Sequence, residues 1–197
     1  MKRILILLFF VLGAISMIAM SMHYLLEAQS GILRSKSVKD LWWYVAAFKG
    51  HVGLGLMAIT SGPFQFLAGF RQQRPRLHKR LGYVYLLSVS ISSLAGLIIA
   101  PFAMGGWITQ VGFSILGLLW FSSTFLSLLF ILRGDIQQHQ RWTTISYALT
   151  FAAITQRTLL LIPLLTACPF MPIYQLSAWL PWLLNVSIAW WILRSTD

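Results

Sequence analysis

Six runs of predominantly apolar residues, near Ile4 to Met22, His51 to Phe70, Leu81 to Met104, Gln110 to Leu132, Thr143 to Leu165 and Leu176 to Leu193, follow one another with only short gaps between most of them. A helix rises 1.5 Å per residue and needs about 20 apolar residues to cross a bilayer, so each run is close to the required length. With 58% hydrophobic and only 10% charged residues, the chain carries more apolar surface than one water-soluble core can cover. The expected class is an all-α, polytopic membrane bundle of six transmembrane helices, forming a single transmembrane domain over 1–197.

Charge gives the orientation. The 15 basic and 4 acidic residues leave a net charge of +11, yet the basic residues occupy gaps between apolar runs rather than one face, which argues against nucleic acid and for the positive-inside rule. Lys2, Arg3, Arg71, Arg74, Arg76, Lys79, Arg80, Arg133, Arg141 and Arg194 fall on one side, against Arg34, Lys36, Lys39 and Lys49 on the other. Both termini are therefore expected in the cytoplasm, with an outer loop over about 27–41, in a multi-pass membrane protein. Trp42, Trp43, Trp107, Trp142 and Trp179 stand near the span ends, where amphipathic rings favour the headgroup layer. Met1-Lys2-Arg3, an apolar run and Ala19-Met20-Ser21 also fit a signal peptide, whose removal would leave five spans. The single cysteine, Cys168, excludes an intrachain disulfide.

Three helical stripes carry the polar residues. Steps of three and four from His51 reach Gly55, Ala58, Gly62, Gln65 and Gly69, a face with little bulk that admits a close helix, an oligomeric partner or a flat cofactor. In the fifth span His139, Thr143, Ser146, Thr150, Ala153 and Arg157 share a face. Asp135 followed by Gln138 resembles a capping box, which places His139 in the first helical turn, where a neutral imidazole is favoured. Pro75 suits the first position of the third helix, so His78 also lies near a helix start, on a face with Gly82, Tyr85, Ser92 and Gly96. The histidines then sort by depth into an inner pair, His78 and His139, and an outer pair, His51 and His23. Two neutral imidazoles at one depth on facing helices can supply both axial ligands of a b-type haem, with Arg80 inside and Arg157 or Lys49 outside for the propionates. Arg157 in a span also has the simpler reading of snorkelling to the headgroups, and each histidine that of an ordinary interfacial residue.

The ordered set His51, Gly62-Pro63-Phe64-Gln65-Phe66, Leu77-His78-Lys79-Arg80-Leu81-Gly82-Tyr83-Val84-Tyr85, His139-Gln140-Arg141-Trp142, Ser146-Tyr147-Ala148-Leu149-Thr150 and Arg157 resembles the bacterial membrane-protein family catalogued as domain of unknown function 2306. The likeness covers about 45–165. It implies a polytopic helical membrane protein and marks His51, His78, His139 and Arg157 as pattern positions, without supplying a reaction. The chain departs from the pattern at Ile145, where an arginine is usual, and His23 lies outside it.

Three functions fit these residues. The first is transmembrane electron transfer through b-type haem, fed by a quinol or a redox protein. The second is a small-solute transporter with Arg157 and His51 facing an outer cavity and Gln65, Thr150 and Asn185 along the route. The third is a non-enzymatic membrane subunit or assembly factor bound through its glycine faces. The acids Glu27, Asp40, Asp135 and Asp197 all lie outside the expected spans, which argues against carboxylate-driven pumping and against a Ser/His/Asp hydrolase.

Overall fold

A computed structural model of the chain describes residues 2–27, 38 and 40–195, the side chains of 2–10 excepted, and is helical with no strand among the described residues. Most of the expected outer loop, with its basic residues Arg34, Lys36 and Lys39, lies outside the described residues. The backbone forms two compact units, residues 1–95 and 96–197.

In the first unit α1 (Lys2–Leu26) packs on α2 (Trp42–Ser61). Ala14, Met17 and Ser21 recur at helical spacing and are buried, which makes them the inward stripe of α1. At its end the Leu25 carbonyl accepts a hydrogen bond from Lys49 Nζ at 3.1 Å, and Leu25 lies against Gly53, so the last turn of α1 is level with His51.

The α2 helix stops at Gly62-Pro63. Proline has no N–H for the Ile59 carbonyl, and its ring clashes with a carbonyl four residues back. The chain passes into a tight 3-10 turn (Gly62–Phe66), an extended corner at Leu67 (φ −79°, ψ 100°) and the short α3 (Ala68–Gln73). Arg74 is non-helical (φ −132°, ψ 61°), as the following proline demands, and α4 (Pro75–Ile99) begins at the expected residue. The expected second span, His51 to Phe70, is thus not one helix. Gln65 and Gly69 do not continue the stripe of His51, Gly55 and Ala58, because the period that put them there ends at Ser61.

The second unit takes in the last turn of α4, a 3-10 turn (Ala100–Phe102), α5 (Trp107–Leu132) and α6 (Ile136–Leu159). Gly134 joins these two helices in the left-handed region (φ 79°), and the Asp135 N–H returns to the Phe130 carbonyl at 2.9 Å. This closes α5 as a Schellman turn. Asp135 then caps α6, its side chain accepting from the Gln138 N–H at 2.9 Å. The result is an antiparallel hairpin with a three-residue connection.

Two proline interruptions fall within the expected fifth and sixth spans. After α6 the chain breaks before α7 (Ile162–Leu165), where Pro163 stands, and the last apolar run is α8 (Phe170–Ser177) followed by α9 (Leu180–Arg194), with Pro181 at the second break. The Ala178 carbonyl at that break accepts from Trp182 Nε1 at 2.8 Å. Trp179 Nε1 donates to the Ile108 carbonyl of α5 at 3.0 Å, so this ring clamps the two segments together. Gly112 permits the approach, since a Cβ there would lie 2.8 Å from the Ala178 carbonyl oxygen and 2.9 Å from Trp179 Nε1.

Four segments among the described residues are long and apolar enough to cross a membrane: Pro75–Phe102, Trp107–Leu132, Ile136–Leu165 and Phe170–Arg194. Val11–Leu26 adds a shorter apolar helix. At 20 residues α2 has the length, but Lys49, His51 and its polar and aromatic start lower its hydropathy.

Gly112→Ala should destabilise the protein by about 1–3 kcal/mol, because its methyl group meets a backbone carbonyl that cannot rotate away. Gly50→Ala, with nothing within 4 Å of the added carbon, should be neutral or slightly stabilising. Thermal unfolding of the two purified variants in detergent makes the comparison.

Candidate functional site

The α5–α6 hairpin fixes the register of two polar stripes. Stepping back along α5 from Ser127 to Thr124 to Trp120 matches the forward steps on α6 from Thr143 to Ser146 to Thr150. Each step therefore meets a partner: Ser127 Oγ lies 2.6 Å from Thr143 Oγ1, Thr124 Oγ1 lies 2.6 Å from Ser146 Oγ, and Trp120 Nε1 donates to Thr150 Oγ1 at 2.8 Å. All but Thr143 are buried. The hydroxyls expected to line a site or a route thus spend themselves on each other, as polar residues between membrane helices commonly do.

His139 stands at the cytoplasm-facing end expected of this ladder. Its Nδ1 is 2.9 Å from the Ser127 carbonyl oxygen and 3.0 Å from Ser127 Oγ. A carbonyl only accepts, so Nδ1 carries the proton. The neighbouring hydroxyls agree with that assignment: Thr143 donates to the His139 carbonyl at 2.7 Å, which leaves Ser127 to donate to Thr143. In the neutral ring the basic nitrogen is then Nε2.

In the first unit His51 repeats the arrangement on other helices. Its Nδ1 is 2.9 Å from the Ser92 carbonyl oxygen of α4, and Ser92 Oγ donates back to the His51 carbonyl at 2.8 Å. Gly55, one turn along α2, faces the same serine, a Cβ there lying at ordinary contact distance, 3.6 Å, from Ser92 Oγ. Both imidazoles are therefore held in the tautomer that metal-ligating histidines adopt when their other nitrogen donates to a backbone carbonyl.

The remaining candidates lie on several elements. His78, on α4, is half-buried in the first unit, whereas His139 belongs to the second. One turn beyond His78, Gly82 is covered by Gln65, whose Oε1 would be 3.3 Å from an added Cβ, so that glycine offers no open face to a flat ring. Gln65 Nε2 is buried without a hydrogen-bond partner among the described residues. Arg80 is exposed, and Arg157 is half-buried with Nη1 3.4 Å from the Ala153 carbonyl of its own helix. Asn185 of α9 donates to the Ala148 carbonyl at 3.2 Å and bonds Thr155, while His23 packs against Tyr24 with ring centroids 3.9 Å apart.

The partner residues Ser127, Thr124 and Trp120 were not singled out above, although a signal for them exists. They recur at helical spacing inside an otherwise apolar run, and a three-residue hairpin forces that stripe to face the one on α6. Ser92 stands among the α4 face residues, but its pairing with His51 depends on how α2 crosses α4, which no local pattern encodes.

Thr150→Val should cost about 1–2 kcal/mol by stranding the Trp120 indole N–H. Adding Trp120→Phe should recover most of the part that is due to the unpaired donor. A double-mutant cycle on unfolding free energy reads this directly, and an additive result would mean that the pair is not coupled.

No curated protein and no solved structure matches the chain. A family model described as "Predicted membrane protein (DUF2306)" matches residues 48–193, a range that takes in His51, His78, His139, Arg157 and the whole α5–α6 hairpin. This chain therefore belongs to the DUF2306 family of membrane proteins.

Proposed function

We propose that this protein is a six-span component of the bacterial cytoplasmic membrane, with both termini inside, that binds b-type haem and passes electrons from a quinol or redox protein. The observation that carries the reading is the Nδ1–H of His139 held on the Ser127 carbonyl, repeated by His51 on Ser92. An axial ligand must present an unprotonated nitrogen in a fixed direction, and a carbonyl on Nδ1 secures both the tautomer and the ring orientation. His139 and His78 are the proposed iron ligands of the inner site, with Arg80 available to a propionate and His51 and Arg157 serving the outer side. Haem bound there would supply one-electron chemistry.

The second reading, a non-enzymatic membrane subunit, draws on the ladder of Ser127, Thr124, Trp120 and their α6 partners, which accounts for those polar groups by packing alone. An optical spectrum separates the two. Protein purified from haem-replete cells should show a Soret band that His139→Ala and His78→Ala each abolish. Absence of haem from the purified wild type overturns the electron-transfer reading in favour of the subunit.

The proposed topology has its own test in Cys168, which is exposed and lies in a gap assigned to the outside. A membrane-impermeant thiol reagent should label it in intact spheroplasts. In a Cys168→Ser background, Gln73→Cys should react only after permeabilisation; labelling of Gln73→Cys in intact cells reverses the orientation.

A further inference from the structure

Between the end of α2 and the second turn of α4 the chain carries five cations, Arg71, Arg74, Arg76, Lys79 and Arg80, and no acid; the sequence has no Asp or Glu at all between Asp40 and Asp135. Arg74, Arg76, Lys79 and Arg80 are exposed, Arg71 is half-exposed, and none of the five makes an ion pair or a side-chain hydrogen bond with another described residue. A concentration of positive charge of this kind repels itself unless counter-charges come from outside the chain. On α4 the spacing of Arg76, Lys79 and Arg80 puts them on one face, with His78 on another.

Aromatic side chains say where those counter-charges lie. Phe64 and Phe66, in the tight turn that precedes α3, are both exposed, and Phe64 meets Phe70 of α3 with ring centroids 5.8 Å apart. Arg71 and Arg74 precede the apolar segment Pro75–Phe102, and Arg76, Lys79 and Arg80 lie in its first turns, within about 8 Å of its start. Exposed phenyl rings on one side and a spanning helix on the other set the cations at the depth of lipid phosphates. An acidic protein or a nucleic acid would satisfy the charges but would leave the phenylalanines uncovered.

We infer that the α3–α4 elbow is a docking site for anionic phospholipid, whose headgroup phosphates provide the counter-charges. The inference rests on the membrane reading of α4 and is independent of haem. It is tested with the full chain in detergent, titrated with phosphatidylglycerol or with phosphatidylcholine of the same acyl chains, counting bound lipids by native mass spectrometry. Phosphatidylglycerol should bind in preference, and Arg74→Gln/Arg76→Gln and Lys79→Gln should each lower its affinity by about fivefold per neutralised cation. Arg76→Lys, which keeps the charge, and Arg133→Gln, in the other basic gap, should leave the preference intact. Equal binding of the two lipids, or a preference unchanged by the glutamine variants with circular dichroism reporting native helix content, overturns the proposal. So does displacement of phosphatidylglycerol by millimolar inorganic phosphate or by an acidic peptide.

Discussion

Away from water, a hydroxyl, an indole N–H or an imidazole must find its partner within the protein, and in this chain one hairpin meets that requirement with three successive cross-helix pairs. Gly134 turns the backbone through a left-handed conformation, Asp135 restarts it as a capped helix, and from there the register of α5 against α6 is set for its full length. The apolar faces of the two helices do not choose a register, since leucines slide past one another at little cost in a lipid environment. The polar pairs do: a slip of one position would separate Trp120 from Thr150, Thr124 from Ser146 and Ser127 from Thr143 together.

The proline breaks obey the same requirement. Where Pro181 interrupts the last apolar run, the Ala178 carbonyl is taken up by Trp182, and the Trp179 indole reaches the Ile108 carbonyl across the bare surface of Gly112. Interrupted helices in membranes often mark solute sites because their freed backbone groups can bind cargo. Here the side chains nearest the break already engage backbone carbonyls, which makes it a packing device. At Gly62-Pro63 the outcome differs, because the chain turns there and leads its basic residues into the start of α4.

Two histidines are held alike. His51 and His139 sit in different units and on unrelated helices, yet each directs Nδ1 at the carbonyl of a serine whose hydroxyl also lies within reach. A hydrogen bond from Nδ1 to a backbone carbonyl satisfies a half-buried N–H and at the same time fixes the tautomer. Fixing it costs rotamer freedom and commits the ring to one basic nitrogen, Nε2, which is the property that ligation or directed proton transfer requires.

Membrane character, the starts of α4 and α6 and the α6 stripe were legible from residues alone, because hydropathy, proline placement and capping are local and additive. So was membership of the family, carried by His51, His78, His139 and their flanking motifs. The continuity of the second, fifth and sixth spans was not, since averaging hydropathy over a window passes through Pro63, Pro163 and Pro181 without registering the backbone groups each removes. Which partner each polar residue takes belongs to tertiary structure: His51 finds Ser92 across two interruptions of the chain, and Gln65, placed by periodicity beside His51, lies instead on Gly82. Sequence determined which residues must be satisfied inside the protein; only the fold, by bringing distant helices to one register, decided by whom.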